Sequence, residues 1–217
     1  MTRIAHDERL ALCDLFEQLG PDAPTLDDPW RTRDLAAHLL VRERHPSVLG
    51  VRIKALAGWT EHTQQSYARR PFDELVAMVR SGPPLWSPFS LPPVEGFLNT
   101  TEFFVHHEDV RRAGDAPQTS RELGAEVEEW MWRRLKLLAR AWFRRSPVGV
   151  VLERLGSATA DGEPDTIRAV SGSSIVTLVG QPSELMIYAH GRTRVAEVKK
   201  VGEPDIIELF NTTDLRT

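Results

Sequence analysis

At 217 residues the chain is long enough for one large domain or two modest ones with a sizeable buried core. Its 41% hydrophobic and 27% charged residues exclude a disordered chain, and a net charge of −4 gives no global basis for binding nucleic acid. The lone cysteine, Cys13, excludes an intrachain disulfide, and no apolar run approaches the roughly 18 residues that a membrane span needs. The opening MTRIAHDERLAL carries acids early and lacks a signal-peptide core, so the expected compartment is the cytoplasm.

Taken in order, residues 3–19 place Leu12, Leu15, Phe16 and Leu19 at helical spacing, and Gly20 with the prolines of GPDAP stops that helix. A second helix is expected over 32–45, limited by Pro46, and further helix over 47–68. Pro71 suits the first turn of another helix through Arg80. SGPP and SPFSLPP at 81–93 read as a proline-rich loop. Helix 94–113 follows, ended by Gly114. The next helix, 120–145, is acidic early and basic late, with Trp130, Met131, Leu135, Leu138 and Trp142 as its buried stripe.

The texture then changes. Residues 149–155, 165–170 and 174–180 are short β-rich runs between turn residues. A helix over 182–191, a strand over 194–201 and a short helix over 204–211 complete the chain. The expected fold class is α+β: a mostly α N-terminal bundle, residues 1–146, and a small C-terminal α/β module, 147–217, with the boundary near Ser146–Pro147.

The chemistry gathers on two helices. In VEGFLNTTEFFVHHEDVRRA, Glu102 and His106 are four residues apart, so they project about 40° apart on the shoulder of the apolar face. A carboxylate and an imidazole one turn apart can reach the same metal ion. His107 points away from that face and is expected to be solvated. In RTRDLAAHLLVRERHP, His38 shares a face with Leu35, Leu39, Arg42 and His45. An inward His and Arg are costly unless something satisfies them. Packing the two faces together would gather two histidines and one glutamate, with an open coordination position of the catalytic kind. On spacing alone a solvated or salt-bridged Glu–His pair and a hydrogen-bonded core histidine are the commoner arrangements, and the metal site the rarer one.

TLDDPWRTRDLAAHL, followed about sixty residues later by NTTEFFVHHEDVRRA, resembles the mycothiol-dependent maleylpyruvate isomerase N-terminal family, within the DinB-like metal-binding four-helix bundles. Thr25, Trp30, Asp34, Leu35, His38 and Leu39 meet the first motif of that family, T-x-x-x-x-W-x-x-x-D-L-x-x-H-L. Glu102 and His106 meet its second, E-x-x-x-H. The resemblance implies a divalent ion, zinc foremost and nickel as the variant, held by His38, Glu102 and His106. It also likens ELMIYAHGR at 184–192 to the family's small C-terminal domain. One departure stands in the first motif, where relatives often carry Cys-x-Gly-Trp and this chain has Asp27, Asp28, Pro29 and Trp30.

Other residues have assignments of their own. Arg42 is a clamp for a substrate carboxylate or the partner of a bundle acid. Arg192 resembles an arginine of the C-terminal module and is a second candidate for that carboxylate. His45 is expected to cap its helix, Cys13 to pack in the core, and Arg111 and Arg112 to form bundle salt bridges.

Three functions stay open. The leading one is a metal-dependent enzyme that uses a low-molecular-weight thiol, mycothiol by resemblance, on an electrophilic small molecule, as an isomerase or thiol transferase. The second is metal-assisted hydrolysis. The third is a non-catalytic metal- or ligand-binding module, compatible with a homodimer, in which His45 or Asp109 closes the coordination sphere. None of the three involves nucleic acid or a membrane.

Overall fold

The structure, a computed structural model, describes residues 2–45, 57–91, 95–114, 117–158 and 161–215. It divides into two compact units, Met1–Gln118 and Thr119–Thr217.

The first unit is helical. Helix α1 (Thr2–Leu19) buries Ala5, Leu12, Cys13 and Phe16, the inward stripe of a 3.6-residue period. Gly20, at φ +78°, ends it and donates its N–H to the carbonyl of Phe16; an L side chain is strained in that conformation. Helix α2 (Thr32–Arg44) begins where the Arg31 N–H meets the Asp34 carboxylate at 2.9 Å. Helices α3 (Ala57–Ala68) and α4 (Phe72–Arg80) follow, the latter entered from Pro71. The helical turns expected over 47–56 lie outside the described residues.

Helix α5 (Thr100–Arg111) is preceded by a π-helical turn, Glu95–Asn99. Every residue from Thr100 to Val110 except Glu102 is buried. Helix α5 packs on α1, while α4 lies against both α1 and α2. The core between them joins Leu12, Phe16, Leu35, Leu39, Leu75 and Phe103. Each such side chain contributes about 1.5–3 kcal/mol by leaving water.

In the second unit, helix α6 (Ala125–Trp142) leads into strands β1 (Gly149–Ala158), β2 (Pro164–Val170) and β3 (Ile175–Gly180), then α7 (Pro182–Ala189), β4 (Lys199–Val201) and α8 (Pro204–Phe210). The sheet order is β2-β1-β3-β4, with β1 parallel to β3 and the other pairs antiparallel. Together with the bundle this is the α+β organisation expected.

Three expectations are corrected. The break falls at 118/119 rather than near Ser146–Pro147, because α6 packs against α7 and β2 and so belongs with the sheet. Its buried face includes Trp132 and Ala139 as well as Trp130, Met131 and Leu135, while Leu138 and Trp142 are half-buried. The strand expected over 194–201 shrinks to 199–201. The Glu184 carboxylate takes the N–H of Glu197 at 2.8 Å, and Val195 and Ala196 turn back onto the Arg192 carbonyl. No helix among the described residues is long and apolar enough to cross a membrane.

Candidate metal centre

The loop before α2 sets the first wall of the site. Thr25 Oγ1 donates to the Trp30 carbonyl (3.0 Å) and accepts from the Asp27 N–H (3.2 Å), and the Trp30 N–H closes onto the Asp27 carbonyl at 2.8 Å. This tight turn, with a cis Asp28–Pro29 peptide, brings the Trp30 ring 5.0 Å from that of His38. With Asp27, Asp28 and Pro29 in place of the Cys-x-Gly run, the Trp30 ring still lies against that of His38.

His38 comes from α2, Glu102 and His106 from successive turns of α5. Nε2 of His38 lies 3.2 Å and Nε2 of His106 3.3 Å from the same oxygen, Glu102 Oε1. The two rings meet edge to face at 5.3 Å. One ligand atom from each of the three residues lies within 4.8 Å of the others. His38 and Glu102 are about a quarter exposed (23% and 26%), and His106 is nearly buried. The structure thus brings together the three residues expected from the sequence.

Two features of this cluster go beyond the sequence reading, which has Asp109 only as a fourth ligand closing the sphere. Asp109, fully buried one turn beyond His106, receives Nδ1 of His106 at 2.8 Å. It therefore serves as the orienting partner of the histidine, and Nε2 is the nitrogen turned toward Glu102. Asp27 also gathers with His106 and Asp109 within 4.8 Å. The signal was present in H-H-E-D: His106 and Asp109 are at i, i+3, a spacing that lets side chains meet.

Charge follows geometry. Burial opposes the charge on His106, but the hydrogen bonds and negative charges of Asp109 and Glu102 outweigh it and push its pKa up to about 9. Burial also opposes the charge on Glu102. Arg42 foremost, then His106 and His38, outweigh that and hold its carboxyl well below the usual carboxylate range. Arg42 Nε lies 3.3 Å from Glu102 Oε1, so the arginine is the partner of a bundle acid. Its guanidinium also donates to Asn99 Oδ1 and to the Leu98 carbonyl, and lies 4.7 Å over the Phe89 ring.

The remaining candidates are placed as follows. His107 corrects the sequence reading: it is buried, with Nδ1 2.7 Å from Glu8 Oε2, because α5 is covered on nearly all sides and α1 supplies a carboxylate there. His45 caps α2, its N–H on the Val41 carbonyl, and joins neither ligand group. Cys13 lies in the core, where burial pushes its thiol up to about 12. Arg111 and Arg112 both pair with the buried Glu108. Arg192 belongs to the second unit, just past Gly191 (φ +85°), and donates to the His190 carbonyl at 2.7 Å.

Two imidazoles and one carboxylate form a donor set suited to zinc and acceptable to nickel, and Asp109 supplies the carboxylate–histidine pairing typical behind such ligands. No family profile matches the chain, and no curated protein sequence does. Among solved structures the chain is similar to the mycothiol-dependent maleylpyruvate isomerase, with TM-score 0.62, 16% identity, and coverage of 93% of this chain and 92% of that one. A histidine-to-alanine mutant of that isomerase matches at the same TM-score and 15% identity. At such identity the likeness shows a shared fold.

Proposed function

We propose that the first unit binds one divalent metal ion, zinc foremost, through His38, Glu102 and His106, and that the chain is a cytoplasmic metal-dependent enzyme using a low-molecular-weight thiol. The observation that carries the metal reading is the convergence of three ligand atoms within 4.8 Å, with His106 oriented from behind by Asp109. The thiol reading is supported by the fold shared with a mycothiol-dependent isomerase. Its substrate class is an electrophilic small molecule, and its reaction an isomerisation or thiol transfer with mycothiol or a similar thiol.

The cation supplies Lewis acidity, which lowers the pKa of a coordinated sulfur toward neutrality. The protein's own groups do the rest. Asp109 accepts a hydrogen bond from the Nδ1–H of His106, leaving Nε2 to face the site. Trp30 and the His106 ring fix the plane of His38. Arg42 keeps Glu102 ionised. The partial exposure of His38 and Glu102 gives a small molecule access to them. Of the two arginines proposed to meet a substrate carboxylate, Arg42 stands beside Glu102.

Metal analysis of the untagged protein by inductively coupled plasma mass spectrometry tests the first half. About one equivalent is expected in wild type and a loss in His106→Ala. Wild type that neither carries nor accepts zinc removes the proposal. Cobalt substitution tests the second half. Adding a thiol is expected to shift the cobalt d–d bands and introduce a sulfur-to-metal charge-transfer band. A spectrum indifferent to thiol, with turnover of esters or amides, would transfer the site to metal-assisted hydrolysis.

A further inference from the structure

One charged side chain outside the ligand set stands beside Glu102. Arg42 Nε approaches Oε1, the oxygen faced by both His38 Nε2 and His106 Nε2. Three nitrogens, one of them cationic, therefore lie within 3.3 Å of one carboxylate oxygen. The guanidinium is also tethered at its far end, by Asn99 Oδ1, by the Leu98 carbonyl at 3.3 Å, and by the Phe89 ring beneath it.

The tether is itself locked. Asn99 Nδ2 donates to Glu43 Oε1 at 2.9 Å, so the amide turns its oxygen toward Arg42. Glu43 is held in turn by Arg9 through two bonds of 2.7 and 2.6 Å, with both side chains 1–2% exposed. The π-turn ending at Asn99 places both the Leu98 carbonyl and the Asn99 amide on the guanidinium, and such turns often mark functional positions. Arg42 is therefore fixed beside the ligand set by groups that do not belong to it.

We infer that Arg42 is a resident counter-cation of Glu102, which holds the carboxylate by the oxygen a divalent ion needs, yields that oxygen when the ion binds, and so weakens metal binding. The inference rests on the metal reading above. A fixed positive charge a few ångströms from a second cation opposes its entry, and the effect is strong where water is partly excluded. The tether prevents the charge from following the solvent away. Once released from Glu102, the guanidinium remains beside the centre as a cationic partner for an anion, such as a small carboxylate, arriving with the metal. The ion is thus held exchangeably, and an anion that pairs with Arg42 strengthens its hold.

Zinc affinity measured by competition with a chelating dye tests this. Arg42→Gln is expected to bind zinc at least roughly tenfold more tightly than wild type, and Arg42→Lys, which keeps the charge, to stay near wild type. Equal or weaker binding by a folded Arg42→Gln would overturn the inference. Should that variant not fold, the wild type supplies a second readout by NMR. The Arg42 Nε–H resonance, assigned by its absence in Arg42→Lys, is expected to move as one equivalent of zinc is added. A resonance unmoved at saturation would refute the exchange. Wild type that binds no zinc fails the metal reading itself, an outcome distinct from both.

Discussion

Two carboxylates of the first unit sit in opposite circumstances although both face arginine. Glu43 is sealed: Arg9 grips both oxygens, Asn99 takes one of them as well, and the pair is 1–2% exposed. Glu102 is a quarter exposed, and three cationic or imidazole donors crowd one of its oxygens. In the first case the hydrogen-bonding capacity of the acid is distributed among partners that fix it, which is the signature of structure. In the second, two basic nitrogens able to ligate a metal point at the same oxygen, which is the signature of a site. Burial and distribution of donors, rather than the presence of an ion pair, separate the two roles.

The comparison is broken most forcefully by Arg9→Met. It leaves the buried Glu43 charge without its counter-ion, and about 3–5 kcal/mol of stability should be lost in urea denaturation. Arg9→Met with Glu43→Leu is expected to recover much of that loss. A single variant as stable as wild type would remove the distinction on the structural side. On the site side, Glu102→Gln should fold normally yet lose about one equivalent of zinc in equilibrium dialysis. Asp109→Asn is gentler and should weaken zinc by about 10–100-fold while leaving the ligands in place.

Acidity sharpens the same contrast. The proton on His106, with a pKa pushed up to about 9, must leave before Nε2 can ligate. Zinc affinity should therefore rise with pH by about tenfold per unit below that value and flatten above it. An affinity independent of pH between 6 and about 9 would show that no proton of His106 competes with the ion in that range. The smallest effect is expected for His107→Ala, which removes one partner of the buried Glu8. It should cost about 1–3 kcal/mol of stability with metal stoichiometry unchanged.

Much of this was legible beforehand. Helices α1, α2, α4 and α7 announce themselves through apolar spacing and through stops such as Gly20 and Gly191. His38, Glu102 and His106 were found by inward polar positions and an i, i+4 spacing, sharpened by family resemblance. His107 was misjudged because a helical wheel assigns one solvent face, whereas α5 is covered nearly all round and Glu8 receives the outlying imidazole. The assignment of α6 to the sheet could not be read from its own stripe, which says that a face is buried but not against what. The Arg42–Asn99–Glu43–Arg9 chain joins two neighbours on α2 to Arg9 and Asn99 on distant segments, so no local pattern announces it.

The sheet of the second unit ends in β4, a strand of three residues, Lys199, Lys200 and Val201. Lys200 Nζ reaches Asn211 Oδ1, at the end of α8, at 2.7 Å. An open margin of backbone donors and acceptors is a template onto which a further chain can pair. Brevity and adjacent lysine charges make it a poor one. The protein is thereby defended on this side against the ribbon-by-ribbon growth that leads to fibrils, and exchanging both lysines for threonine would be the first way to lose that protection.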